Sequence, residues 1–175
     1  MNFNNRIIEN FDLTISKETV RQKIKDFIDG DKSIVINGFI LGEDMSNLFN
    51  QIYFHNLSQN DWNEISEAIN GWNVSNVKNM KYMFKNCRNF NLSLTWNVIN
   101  VINMEGMIMN CINFNQPLND WNVKSVVHMV DMFNNCKSFN QSLNKWNTEN
   151  VINMTRMFKN CIIFNGDLTS NEITL

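Results

Sequence analysis

Net charge is what this chain has least of. Its 15 Lys and Arg stand against 17 Asp and Glu, leaving −2. That removes the electrostatic case for nucleic acid or an anionic membrane as a partner. No stretch approaches the run of about 18 apolar residues that a membrane span needs, so no span is expected. Histidine occurs only twice, as His55 and His128, and there is no CxxC pair. Metal ligation would have to come from scattered Cys and His with no tetrahedral spacing, so no metal site is expected. Proline is nearly absent. The opening stretch, MNFNNRIIENFDLTISKE, has neither an apolar run of signal-peptide length nor a small-residue cleavage site. With no lipid-attachment Cys near the start either, the expectation is a cytoplasmic protein, in the host cytoplasm if virus-encoded.

What is abundant is repetition. WNVSNVKNMKYMFKNCRNFNLSLT begins at Trp72, and close variants begin at Trp96, Trp121 and Trp146, with spacings of 24, 25 and 25 residues. A fixed period in this range is the mark of stacked units, each too small to bury its apolar side alone. The columns are consistent. Val77, Val101, Val126 and Val151 are followed by Met80, Met104, Met129 and Met154, then by Met83, Met107, Met132 and Met157. Phe84, Ile108, Phe133 and Phe158 come next, then the four Cys (87, 111, 136, 161), then Phe90, Phe114, Phe139 and Phe164. Leu94, Leu118, Leu143 and Leu168 close the copies.

Trp and the residue two positions on (Val74, Val98 and Val123, with Thr148 in the last copy) flank an Asn, the period-two spacing of a half-buried strand. From Val77 through Met80 and Phe84 to Cys87 the spacing becomes helical. Asn79, Asn103 and Asn153, with His128 in the third copy, stand where an N-cap would. The predicted fold is therefore an α/β repeat solenoid, with one short strand and one short helix or 3₁₀ turn per repeat of 24–25 residues.

The signature W-N-V-x-N-V-x-N-M-x-x-M-F-x-N-C-x-x-F-N resembles the BspA-like class of leucine-rich repeat, in the Trp- and Met-rich variant of mollicute surface lipoproteins and large DNA viruses. The resemblance covers Trp72 to Leu168. It implies a leucine-rich-repeat-like solenoid and a binding surface, and it implies no activity.

Outside the regular copies, residues 1–32 read as a polar segment followed by a capping helix. Ser16 can cap it, Val20, Ile24, Phe27 and Ile28 share a face, and Gly30 can stop it. Residues 33–71 read as a degenerate first repeat with an extra helix. SIVINGFIL resembles a strand, and MSNLF echoes MKYMF. A different reading makes DWNEI, from Asp61, a decayed W-N-V strand. Residues 72–168 are the four regular repeats, and 169–175 a terminal strand with Ile173 in the Val column, leaving that edge uncapped.

At 175 residues the chain can bury about 70% of its unfolded surface as one domain. The Met and Cys columns then read as core. Cys-His nucleophilic chemistry would need His128 beside a thiol and a third group to orient it, and nothing in the spacing provides this. The expectation is no enzyme, no cofactor, and no catalytic or metal-binding residue. Function is expected where copies differ. Thr95, Asp120 and Lys145 precede a Trp; Ile99, Lys124 and Glu149 follow three residues after one. They flank an Asn ladder of Asn97, Asn122 and Asn147 that is expected to hydrogen-bond along the stack. This strand face is either a protein-binding surface or a solvated face under neutral drift. Tyr82, Met109, Val130 and Arg156 form a second-choice surface. The expected function is a non-enzymatic protein–protein interaction module with a protein partner. The alternative is a structural component that self-associates through its C-terminal edge.

Overall fold

The structure is a computed structural model that describes residues 14–166 apart from 53, 55 and 56. The readings placed on the terminal strand 169–175, on Leu168, on residues 1–13 and on His55 lie outside the described residues.

Two helices form. Helix α1 spans Lys17–Ile28 and α2 spans Gln59–Asn70. Ser16 caps α1 by accepting from the Thr19 N–H, and Val20, Ile24 and Phe27 form its buried face. Ser58 caps α2 through a reciprocal capping box with Asp61. Trp62 stands in the first turns of α2 and packs on Phe54, with ring centroids 5.6 Å apart.

The expected α/β solenoid is not what forms. Among the described residues there is no strand, only isolated parallel bridges, and none of the four regular repeats contains a helix. The strand expected within 33–41 is likewise reduced to single bridges at Ile40 and Leu41. A leucine-rich-repeat-like fold with one strand per repeat is therefore excluded.

What replaces it is a ladder made of turns. In the first copy, Met83, Lys85 and Cys87 donate to carbonyls three residues back, at Met80, Tyr82 and Phe84. The residues between them donate across to the next copy: Met80 to Asn103, Tyr82 to Glu105, Phe84 to Met107 and Asn86 to Met109. The pattern recurs down the stack, and Met129, Asp131, Phe133 and Asn135 donate to Asn153, Thr155, Met157 and Lys159. In the inner copies these bonds within and between copies alternate along the segment, without sheet or helix.

Left-handed residues make this geometry. Tyr82, Gly106, Asp131 and Arg156 have φ of 54–58°, and Asn86, Asn110, Asn135 and Asn160 have φ of 60–66°. A helix cannot carry a left-handed residue every fourth position, so the apolar spacing that mimics a helix closes successive tight turns instead. Asn suits the second of these columns because it tolerates that region. Gly106 answers a further need. A Cβ there would stand 2.3 Å from the Tyr82 ring.

The Trp segments alternate buried and exposed as a strand would, yet they do not pair as strands. Asn73, Asn97, Asn122 and Asn147 each accept from the N–H two residues on, at 2.9–3.2 Å. These Asx turns curl the chain away before a ladder can form. The expected hydrogen bonding of these Asn along the stack is thereby corrected. Side-chain amides do bond along the stack elsewhere: Asn110 donates to Asn86, and Asn135 to Asn110. Asn91, Asn115 and Asn140 accept from the backbone N–H of the next copy.

The core is a set of columns. Phe90, Phe114, Phe139 and Phe164 stack at 5.7–6.1 Å, and Phe133 lies 5.3 Å from Phe158. Each Trp donates its indole N–H to a carbonyl of the preceding unit: Trp96 to Ile69, Trp121 to Leu94 and Trp146 to Leu118. A buried indole needs such a partner. Met45, Leu48 and Phe49 begin the columns, since Met45 donates to Asn79 as Met80 does to Asn103.

Candidate functional site

The Cys column explains itself chemically. The thiols of Cys87, Cys111, Cys136 and Cys161 donate to the carbonyls of Phe49, Phe84, Ile108 and Phe133 at 2.9–3.1 Å. Cys has a small side chain with a weak donor, which suits a close approach to backbone inside a core. Burial pushes the Cys87 thiol up to about 12 and that of Cys161 up to about 11, and it raises those of Cys111 and Cys136 strongly. A nucleophilic or ligating Cys needs the thiolate, which these surroundings disfavour. All four are free thiols. Among the described residues no group of His, Cys, Asp and Glu could hold a metal ion. His128 continues the line of bridges formed by Asn79, Asn103 and Asn153.

All nine residues of the Trp-Asn-Val face are exposed. Thr95, Asn97 and Ile99 border a shallow groove of 210 Å³ between the first and second copies. The Thr95 N–H is held by Asn70 of α2. Asp120 and Lys145 meet in an ion pair at 2.7 Å, and Asn147 donates to Glu149 at 3.3 Å. Lys124 forms no ion pair among the described residues. At such exposure the Asp120–Lys145 pair contributes little stability.

Sequence reasoning missed a neighbouring column. Ile102, Val127 and Ile152 lie between the buried Val and the bridging Asn or His. Val127 donates to the Ile102 carbonyl and Ile152 to that of Val127, at 2.8 and 3.0 Å. These bonds bring the three into register as an aliphatic ridge. Ile102 is 42% exposed and Ile152 74%. Ile99, at 41%, adds apolar surface on the neighbouring face. The available signal was the triplet VIN or VVH, with an aliphatic residue where the first copy has Lys78.

The other side of the stack holds a polar network. The Tyr82 hydroxyl donates to Glu105 at 2.6 Å, and Lys81 pairs with Glu105 at 2.8 Å. The Glu105 bond is the main reason that the Tyr82 hydroxyl is pushed up to about 12. Burial acts to raise the Glu105 carboxyl, but the bonds from Lys81 and Tyr82 outweigh it and hold it low. Arg156 grips Asp131 through two bonds of 2.9 and 2.6 Å and lowers that carboxyl. Tyr82, Asp131 and Arg156 share one left-handed column, whereas Met109 and Val130 stand at other offsets. The second-choice surface is therefore two unrelated sets of positions.

No described helix is long and apolar enough to cross a membrane. Residues 43–171 match the family described as Mycoplasma protein of unknown function, DUF285. No match was found among curated proteins or among solved structures.

Proposed function

The chain belongs to that Mycoplasma family, and from this premise we propose that it is a non-enzymatic protein-binding module. Its contact surface is the exposed Trp-Asn-Val face together with the aliphatic ridge beside it. One observation carries the reading. The buried columns repeat nearly unchanged, while Thr95, Asp120 and Lys145, and Ile99, Lys124 and Glu149, change class from copy to copy next to exposed Ile102 and Ile152. Packing explains the constancy of the first set and leaves the second free. An apolar ridge rimmed by polar and charged groups has the composition of a protein contact. The Trp and Met signature supports a kinship with BspA-like repeats, regarded as binding surfaces, although the strand of that class is absent here.

The test is affinity capture from native cell lysate. Wild type runs beside Ile102→Asp/Ile152→Asp and beside a variant with Asp120, Lys124, Lys145 and Glu149 all charge-reversed. The expected result is a partner held by wild type and lost by both variants at unchanged melting temperature. A partner retained by both removes this face as the site.

A further inference from the structure

Asn is followed by Gly three times, at Asn37–Gly38, Asn70–Gly71 and Asn165–Gly166. Such a pair is chemically labile in water. The Gly nitrogen carries no neighbouring Cβ to shield it and can attack the Asn side-chain carbonyl carbon, one reason that Asn counts as a thermolabile residue. Folding decides whether the attack occurs. It needs a Gly N–H free of hydrogen bonds and an Asn amide free to turn.

The structure holds two of the pairs in place. Asn70 ends α2, and its amide donates to the Ser66 and Ser93 carbonyls at 3.0 and 2.9 Å. Its oxygen accepts from the Thr95 N–H at 2.8 Å. The Gly71 N–H is engaged too, by the Glu67 and Ala68 carbonyls at 3.0 and 3.1 Å. At the third pair, the Asn165 N–H is held by the Asn140 side chain at 2.8 Å. Gly166 packs so closely on Gln141 that a Cβ would stand 2.6 Å from its carbonyl oxygen. Swinging the Gly166 nitrogen towards the Asn165 side chain would break that packing.

Asn37–Gly38 is open. Both residues are exposed, and neither forms a hydrogen bond among the described residues. Gly38 is left-handed, with φ of +71°, and nothing lies within 4 Å of where its Cβ would be. The chain on either side is anchored to the first regular copy. The Trp72 indole donates to the Ile36 carbonyl at 2.8 Å, and the Asn73 N–H donates to the Phe39 carbonyl at 2.8 Å. The Phe39 and Trp72 rings lie 5.4 Å apart. Asn37 and Gly38 thus form a short exposed bridge between two fixed points.

We propose that Asn37 is a site of spontaneous deamidation, and that its isoaspartate product loosens residues 36–39 from Trp72 and Asn73. The Gly38 nitrogen bonds to the Asn37 Cγ, the Cγ–Nδ2 bond breaks, and ammonia leaves with the Gly38 proton. Water then opens the five-membered imide. Opening at Cγ gives an aspartate. Opening at the main-chain carbonyl gives an isoaspartate, whose main chain runs through Cγ and is one carbon longer. Nothing is oxidised or reduced. Either product adds a carboxylate to a groove of 470 Å³ that Glu64 and Glu67 also line, where like charges repel. The isoaspartate also lengthens the bridge between anchors set for a shorter one. The site lies outside the proposed contact face, and neither reading depends on the other.

Full-length protein is incubated in mildly alkaline buffer, folded and in denaturant, and its peptides are mapped by mass spectrometry. Electron-transfer fragmentation separates isoaspartate from aspartate. In the folded protein Asn37 should convert at close to its rate in denaturant, and Asn70 and Asn165 at least about ten-fold more slowly than theirs. Asn37→Gln, whose attack needs a six-membered ring, should lose most of the ammonia release at unchanged melting temperature. The isoaspartate-bearing fraction, separated by ion exchange, should melt below the unmodified protein and exchange its Asn73 amide faster. Folding that protects Asn37 as strongly as Asn70 would overturn the assignment, as would equally fast loss at Asn165. Unchanged Asn73 exchange and melting temperature in the isoaspartate-bearing fraction would overturn the loosening.

Discussion

The third and fourth copies spell nearly the same sentence and live in different surroundings. Met129, Phe133 and Cys136 are fully buried, whereas Met154, Phe158 and Cys161 are only half-buried. The residue types agree; the neighbours do not. Each copy supplies one wall of the next copy's site, so an end copy is half a site. The difference teaches that in such a stack a column residue contributes through what lies on both sides of it, as nearest-neighbour coupling requires.

The largest expected effect comes from emptying an inner site. Trp121→Ala should cost about 3–5 kcal/mol, the usual range for a buried aromatic, and it also leaves the Leu94 carbonyl without its donor. Phe133→Ala should fall in the same range of about 3–5 kcal/mol, and Phe158→Ala at under half of it. Equal losses at Phe133 and Phe158 in denaturant unfolding would erase the distinction between the copies.

Thiol chemistry sharpens the same comparison. A disulfide reagent should label Cys161 first, and Cys87, Cys111 and Cys136 only as the protein unfolds. The raised thiols also set a pH slope. A group whose folded pKa lies above its unfolded value stabilises fully below the unfolded value. That stability is lost as pH rises from the unfolded value, about 8.5, through the folded one. Melting temperature should therefore fall above about pH 8.5, and Cys111→Val should flatten the slope more than Cys161→Val.

The smallest effect tests the ion pair of Asp131 and Arg156, which ties the two copies together. Arg156 holds the Asp131 carboxyl low. A depressed carboxyl contributes stability above its unfolded value, about 3.9, and loses it as pH falls through the folded value. Asp131→Asn should be destabilising at neutral pH and indistinguishable from wild type once pH drops well below about 3.9. A constant difference across that range would show that Asp131 acts through packing alone.

Much of this was legible residue by residue. The spacing of Val20, Ile24 and Phe27 behind Ser16 matches α1, and the Met, Phe and Cys columns are core. The exposed positions around each Trp were legible from period-two alternation. The backbone of the repeats was not. Val77, Met80, Phe84 and Cys87 fall on one face of a helix by arithmetic, but the same arithmetic is met by successive three-residue turns. Only the left-handed φ of Tyr82 and Asn86 separates the two, and a Tyr in that region announces itself in no pattern. The Asn beside each Trp read as a ladder member because Asx-turn closure and amide stacking ask for the same residue. The ridge of Ile102, Val127 and Ile152 escaped because an aliphatic residue beside a buried Val reads as more core.

By itself the sequence determined the period, the identity of every core column and the absence of a large net charge. Burial of apolar side chains depends on spacing, and spacing is written in the chain. Tertiary structure decided which backbone groups bond within a copy and which bond across. That choice rests on the sign of φ at one or two residues per copy, held in place by the neighbouring copies. It set the bonds of Met80, Tyr82, Phe84 and Asn86 running forward to the next copy, and those of Ile102, Val127 and Ile152 running back to the preceding one.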